Sequence, residues 1–112
     1  MLFSLEDFTP EYISPNIERL TGISLSKFEK EGMDAIRPEG WEPKDSRSAA
    51  LDVQPGHPLH FDRTRVHKIT GETRLFRDSF YAGELDGRRK ALLVVSDRTE
   101  EVRAQQALEE AV

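Results

Sequence analysis

Residues 74–97 read RLFRDSFYAGELDGRRKALLVVSD, and this stretch decides the fold. Arg74 to Ala82 reads as a strand, whose period of two places Phe76, Asp78 and Phe80 on one face. Asp86-Gly87 follows, a dipeptide suited to a two-residue hairpin turn whose central residues need positive φ. Ala91-Leu92-Leu93-Val94-Val95 is a near-continuous apolar run of strand length and reads as the best-buried strand of the chain. Two antiparallel strands joined by a tight turn are therefore predicted.

Working back towards the N-terminus, His60–Lys68 alternates. Asp62, Thr64 and Val66 share one face, and Arg63, Arg65 and His67 share the other. Thr70-Gly71-Glu72 is the turn that leads into residue 74. Pro55-Gly56 stops a helix predicted over Lys44–Val53, with Ala49, Ala50 and Val53 on one side. The stretch Arg37–Pro43 is a loop, broken by two prolines. Two short helices precede it. Ser14-Pro15 opens the first, because Ser14 can accept free amide hydrogens and Pro15 suits the first helical position. Gly22 ends it, after Ile17 and Leu20. The second begins at Ser24 or Ser26, where Ser26-Lys27-Phe28-Glu29 has the spacing of a capping box, and Gly32 closes it. Leu2–Leu5 and Glu11–Ile13 read as short strands flanking a turn at Phe8-Thr9-Pro10-Glu11.

Beyond residue 97 the pattern becomes helical. Asp97 is the expected N-cap, and Glu100 three residues later completes a second capping box. Ala104, Leu108 and Ala111 follow at spacings of four and three, a short coiled-coil seam. No helix-stopping residue precedes Val112, so the chain reads as cut from a longer one. The expected architecture is α+β: a five-stranded antiparallel sheet, short helices on one face and a C-terminal connector helix.

Composition limits the function classes. The 112 residues suit one domain, are 37% hydrophobic and 33% charged, and carry a net charge of −5. Basic residues are scattered among acids, which argues against nucleic acid as a partner and against direct membrane contact. The absence of cysteine removes disulfides, thiolate metal sites and cysteine nucleophiles, and fits a cytoplasmic protein. No stretch approaches the roughly 20 apolar residues of a membrane span, and the N-terminus lacks a signal-peptide pattern. His57, His60 and His67 do not form a metal site. His60 and His67 lie on opposite faces of one strand, about 23 Å apart at the usual rise, and all three read as solvated.

Several segments resemble PAS sensory domains in order and spacing. Tyr12-Ile13-Ser14-Pro15 with Leu20-Thr21-Gly22 is similar to the family's opening. Arg37-Pro38-Glu39 resembles its His-Pro-Glu-Asp segment, with Arg37 for the histidine and Gly40 for the aspartate. Phe61–Phe80 looks like the two central strands, and Arg74-Leu75-Phe76-Arg77-Asp78 resembles Arg-Trp-Val-Arg-Asp. Ser96-Asp97-Arg98-Thr99-Glu100 looks like the Asp-x-Thr-Glu junction that ends many such domains. The resemblance runs from about Leu2 to Leu108. It implies a PAS sensory domain over 1–97 and the start of a signalling helix over 98–112. It further implies a dimer contact on the outer sheet face, and an output domain of histidine kinase or diguanylate cyclase type.

On that basis the chain is expected to be a non-enzymatic sensory module that forms a homodimer, with a small-molecule ligand as a candidate partner. The expected pocket lining is Phe28, Ile36, Trp41, Thr64, Val66, Phe76, Asp78, Leu93 and Val95. Asp78, an inward carboxylate, needs a partner, and Arg37 or a polar ligand is the expected one; with the faces exchanged, Arg77 points in and Asp78 is a solvated surface charge. Asp97, Thr99 and Glu100 form the expected relay, and Ala104, Leu108 and Ala111 the helix-pair contact. Arg63, Arg65 and His67, with Arg77, form a basic stripe expected on the outer sheet face. The resemblance leaves the cofactor unknown. It argues against flavin-adduct and cinnamoyl photochemistry, which use a cysteine; Val95 also stands where flavin-binding members carry a glutamine. It argues against haem, because Lys44–Val53 contains no histidine. The alternatives are a ligand-free PAS dimerisation module and, more remotely, a small α+β cone enzyme using Asp78 with a histidine.

Overall fold

Asp86 and Gly87 adopt φ of 54° and 74°, as the tight turn requires, and join β4 (Thr73–Leu85) to β5 (Arg88–Asp97). The computed structural model describes residues 1–37 and 40–111 and, for Pro43, the backbone alone. The Pro38-Glu39 part of the family-like segment lies outside the described residues. With β1 (Leu2–Ser4), β2 (Pro10–Tyr12) and β3 (Leu59–Val66), the hairpin builds a five-stranded sheet of order β2-β1-β5-β4-β3. Every pairing is antiparallel. Helices α1 (Asn16–Thr21), α2 (Leu25–Glu31) and α3 (Pro43–Asp52) and a 3-10 turn (Gly32–Ile36) fall between β2 and β3, and α4 (Thr99–Glu110) follows β5. The fold is α+β, as expected.

The helices meet one face of the sheet and form the core with it. Phe3, Ile17, Ile23, Phe28, Met33, Ile36, Ala50 and Val53 pack against Phe80, Ala91 and Leu93. The first helix start differs from expectation, and the second falls at Ser24, one of the two expected positions. The Ser14 hydroxyl caps nothing: Pro15 is the N-cap of α1, and the Ile17 amide hydrogen bonds to the Ser14 carbonyl at 3.1 Å. Ser24, not Ser26, caps α2, its side chain accepting from the Lys27 amide at 3.3 Å. Helix α3 starts at Pro43, and the Glu42 amide donates to the Asp45 carboxylate at 2.8 Å.

The β3–β4 hairpin docks on the end of α1. The Lys68 amide donates to the Thr21 carbonyl at 3.0 Å. The His67 ring is fully engaged: Nε2 reaches the Arg19 carbonyl at 3.0 Å and Nδ1 accepts from Ile69 and Thr70. A solvated His67 is therefore corrected. Gly22 sits under that ring with φ of 74°, and a Cβ there would lie 2.7 Å from His67 Cε1 and 2.9 Å from the Ile69 amide nitrogen. Gly22→Ala is expected to destabilise the fold by about 2 kcal/mol or more in denaturant unfolding. Gly83→Ala, which meets open space, is the control, expected to stay within about 0.5 kcal/mol.

Helix α4 projects from this body. The radius of gyration is 15.2 Å and the longest axis 52 Å, against about 13 Å expected for a compact chain of this length. Among the described residues of α4 only Thr99 is buried and Val102 half-buried; Ala104, Leu108 and Ala111 are exposed.

Candidate functional site

Which side chains face the helices is settled by register. Phe61 lies opposite Asp78 and Arg63 opposite Phe76; Asp78 lies opposite Val95 and Phe80 opposite Leu93. Directly paired residues share a face. Odd-numbered β3 residues therefore join even-numbered β4 and odd-numbered β5 residues on the inner face. Two expectations are overturned. Thr64 and Val66 do not line the pocket: they lie on the outer face, Val66 53% exposed. Arg63 and Arg65 do not belong to an outer basic stripe: they lie on the inner face, and only Arg77 remains outside, where it pairs with Asp62 at 2.7 Å. A one-residue change of phase moves every side chain of a strand to the other face. Nor is β5 the best-buried strand: it buries Ala91 and Leu93, whereas β4 buries Phe76, Asp78, Ser79 and Phe80, and Leu92 and Val94 are 40% and 39% exposed.

Phe28, Ile36, Phe76, Asp78 and Leu93 are buried as expected, and Val95 packs against the core. Trp41 is half-buried and meets Phe61 edge-on, with ring centroids 5.5 Å apart. Ile36, Trp41, Asp78 and Leu93, with Met33, Arg37, Ser46, Phe61 and Phe80, line a partly open pocket of about 20 Å³. That volume holds about one water molecule. Phe28 belongs to the core outside this pocket.

Asp78 is the carboxylate of the interior, and its partner is Arg63 rather than Arg37. Arg63 Nη2 stands 2.5 Å from Asp78 Oδ2, with the two side chains 12% and 6% exposed. This is an ion pair by distance, and Arg63 Nε and Asp78 Oδ1 have no hydrogen-bond partner. Burial pushes the Asp78 carboxyl above its ordinary value, against the pull of Arg63 and Arg65. Arg65 Nη2 donates to the Ile36 carbonyl at 2.5 Å, while its Nε is unpartnered. Burial and then the Arg63 charge pull the Arg65 guanidinium down to about 10. Sequence reasoning missed both arginines because their long stems let a charged head sit at the end of an otherwise apolar face. Arg37 pairs with Asp34 at 3.8 Å.

The second cluster joins the sheet to α4. The Thr99 hydroxyl donates to Asp97 Oδ1 at 2.6 Å and accepts from the Leu75 amide at 2.8 Å. The Thr99 amide donates to the same Asp97 oxygen at 2.9 Å, and the Arg98 amide donates to the Leu75 carbonyl at 2.7 Å. Arg74 donates to Asp97 Oδ2 through Nε at 2.9 Å, and Nη2 lies equally close. Burial raises the Asp97 carboxyl, but the Thr99 and Arg74 contacts outweigh it and hold the group below its ordinary value. The expected capping box is corrected in detail. Arg98 is the N-cap of α4, Asp97 holds the Thr99 amide from one residue earlier, and Glu100 instead lies 3.4 Å from Arg74.

His60 Nδ1 lies 2.6 Å from the Ser79 hydroxyl on the outer face. Among the described residues no helix is long and apolar enough to cross a membrane. Compared with models of protein families the chain matches none, and a search of curated proteins likewise finds no match.

Proposed function

We propose that the chain is a PAS-type sensory module that relays a change in its sheet to α4, and through α4 to an output domain of histidine kinase or diguanylate cyclase type. The observation that carries this reading is the buried junction at Thr99. One hydroxyl ties the Leu75 amide of β4 to Asp97 at the end of β5, so a shift between these strands must alter the first turn of α4. Beyond Val102 helix α4 lies exposed, with Leu108 69% exposed, which suits pairing with a second α4. The α+β sheet and helix order are compatible with a PAS fold. The outer sheet face offers a row for a homodimer: Tyr12 pairs with Leu2, Leu2 with Leu92, and Leu92 with Tyr81. Tyr12, Leu92 and Tyr81 are all exposed.

Native-state hydrogen exchange tests the relay. Leu93→Ala loosens β5 from the core, and faster exchange is expected at Thr99–Val102 relative to the β1–β2 amides. Unchanged relative exchange in α4 would sink the relay.

One observation favours a second reading, a ligand-free dimerisation module. The pocket of about 20 Å³ is far below the several hundred Å³ of ordinary ligand pockets. Native against denaturing mass spectrometry separates the two. A releasable extra mass supports a core ligand, and a native mass of twice the bare chain supports the dimerising role.

A further inference from the structure

A cleft of about 410 Å³ opens at the β3 side of the sheet, lined by Arg37, Arg63, Thr64, Arg65, Val66 and Lys68. Four of these six side chains are cationic, and among the described residues no carboxylate lines the cleft. This stands against a net charge of −5 for the whole chain, so the concentration of positive charge is local. Behind the cleft, Asp78 offsets one of the two inner arginines and no more. Arg63 Nε and Arg65 Nε are buried donors with no acceptor. Buried donors are normally satisfied, and an exception calls for a cause. The Arg65 guanidinium, pulled down to about 10 by burial and by Arg63, is a charge in want of a counter-ion.

We infer that this cleft binds a small oxyanion, a molecule presenting a carboxylate or phosphate group to Arg63 and Arg65 with Arg37 and Lys68 at the rim. Guanidinium forks suit such groups because they donate two parallel hydrogen bonds to paired oxygens. The cleft volume lies within the range of small-molecule sites. The site meets the 20 Å³ pocket at Arg37, which lines both, and does not involve the Thr99 junction. It therefore stands or falls independently of the sensory reading.

The test is a titration of the full ¹⁵N-labelled chain, followed by backbone amide shifts. Succinate and inorganic phosphate are the two probes, at ionic strength held constant with sodium chloride. The expected result is saturable shifts confined to Arg37 and Arg63–Lys68, from succinate if the ligand class is a carboxylate and from phosphate if it is a phosphate. Arg65→Gln is expected to weaken binding about tenfold or more, and Lys68→Gln about two- to fivefold. Lys68 is exposed, so its substitution keeps the test valid even where Arg65→Gln fails to fold. Shifts matched by chloride alone, shifts spread over the whole surface, or affinity unchanged in both variants would overturn the proposal.

Discussion

Replacing Asp78 with alanine is expected to cost about 3 kcal/mol or more of folding stability. The side chain is 6% exposed and faces Arg63, itself 12% exposed, at 2.5 Å. Removing the carboxylate leaves two arginines on the inner face of β3 with no negative group between them. A buried charge stripped of its partner loses the Coulombic attraction while still bearing the desolvation cost. Arg63→Met is expected to cost less, because the Arg65 charge still favours ionised Asp78 through space and a methionine fills the volume of the stem. The double variant Arg63→Met/Asp78→Leu is expected to recover most of the loss, because it removes both charges together. Urea unfolding of the parent chain, Asp78→Leu, Arg63→Met and their double variant, read as a double-mutant cycle, measures the coupling. A cost below about 1 kcal/mol for Asp78→Ala would mean that the inner arginines find their counter-charge elsewhere.

The next largest effect is expected at Thr99. Thr99→Val keeps the shape and removes the hydroxyl, so the Leu75 amide loses its acceptor and Asp97 Oδ1 loses one of its two donors. Leaving such groups unpaired is expected to cost about 2–3 kcal/mol, with Thr99→Ser restoring most of it. The decisive readout is local. Amides of Leu75 and Val102 should lose exchange protection in Thr99→Val well before those of the β4–β5 hairpin centre. If α4 keeps its protection, the anchor lies elsewhere on the helix. The same junction responds to acid. The folded-state value of Asp97 is held below its ordinary 3.8, so its contribution is fully present above that value. It is lost as the pH falls from there through the depressed folded value. Protection at Thr99 should therefore fall on acidification in that window, and Asp97→Asn should flatten this dependence.

Much of this molecule is decided by local chemistry. Gly22 and Gly32 end helices because glycine, lacking a Cβ, takes the positive φ of the stop without steric cost. Asp86-Gly87 makes the hairpin for the same reason. The patterns of residues 60–68 and 74–82 specify strands, and Asp97 with Thr99 marks the start of α4, although which atoms bond there is a matter of three dimensions. What no local pattern decides is which face of β3 turns inward. Asp62, Thr64 and Val66 are no more polar as a set than Phe61, Arg63 and Arg65, so period-2 alternation separates the two faces without ranking them. The loop between β3 and β4 sets Val66 opposite Thr73, and this register puts Arg63 beside Asp78 and sends Val66 to solvent. The apolar run of β5 is ambiguous for a similar reason. It states that both faces of the strand tolerate apolar side chains, but helices cover only one of them, so Leu93 is buried while Leu92 and Val94 stay exposed. Sequence by itself determined the elements, their turns and the α+β class. Tertiary structure alone decided the inner charge cluster and the basic cleft, because both exist only once β3, β4 and the 3-10 turn around Ile36 are brought together.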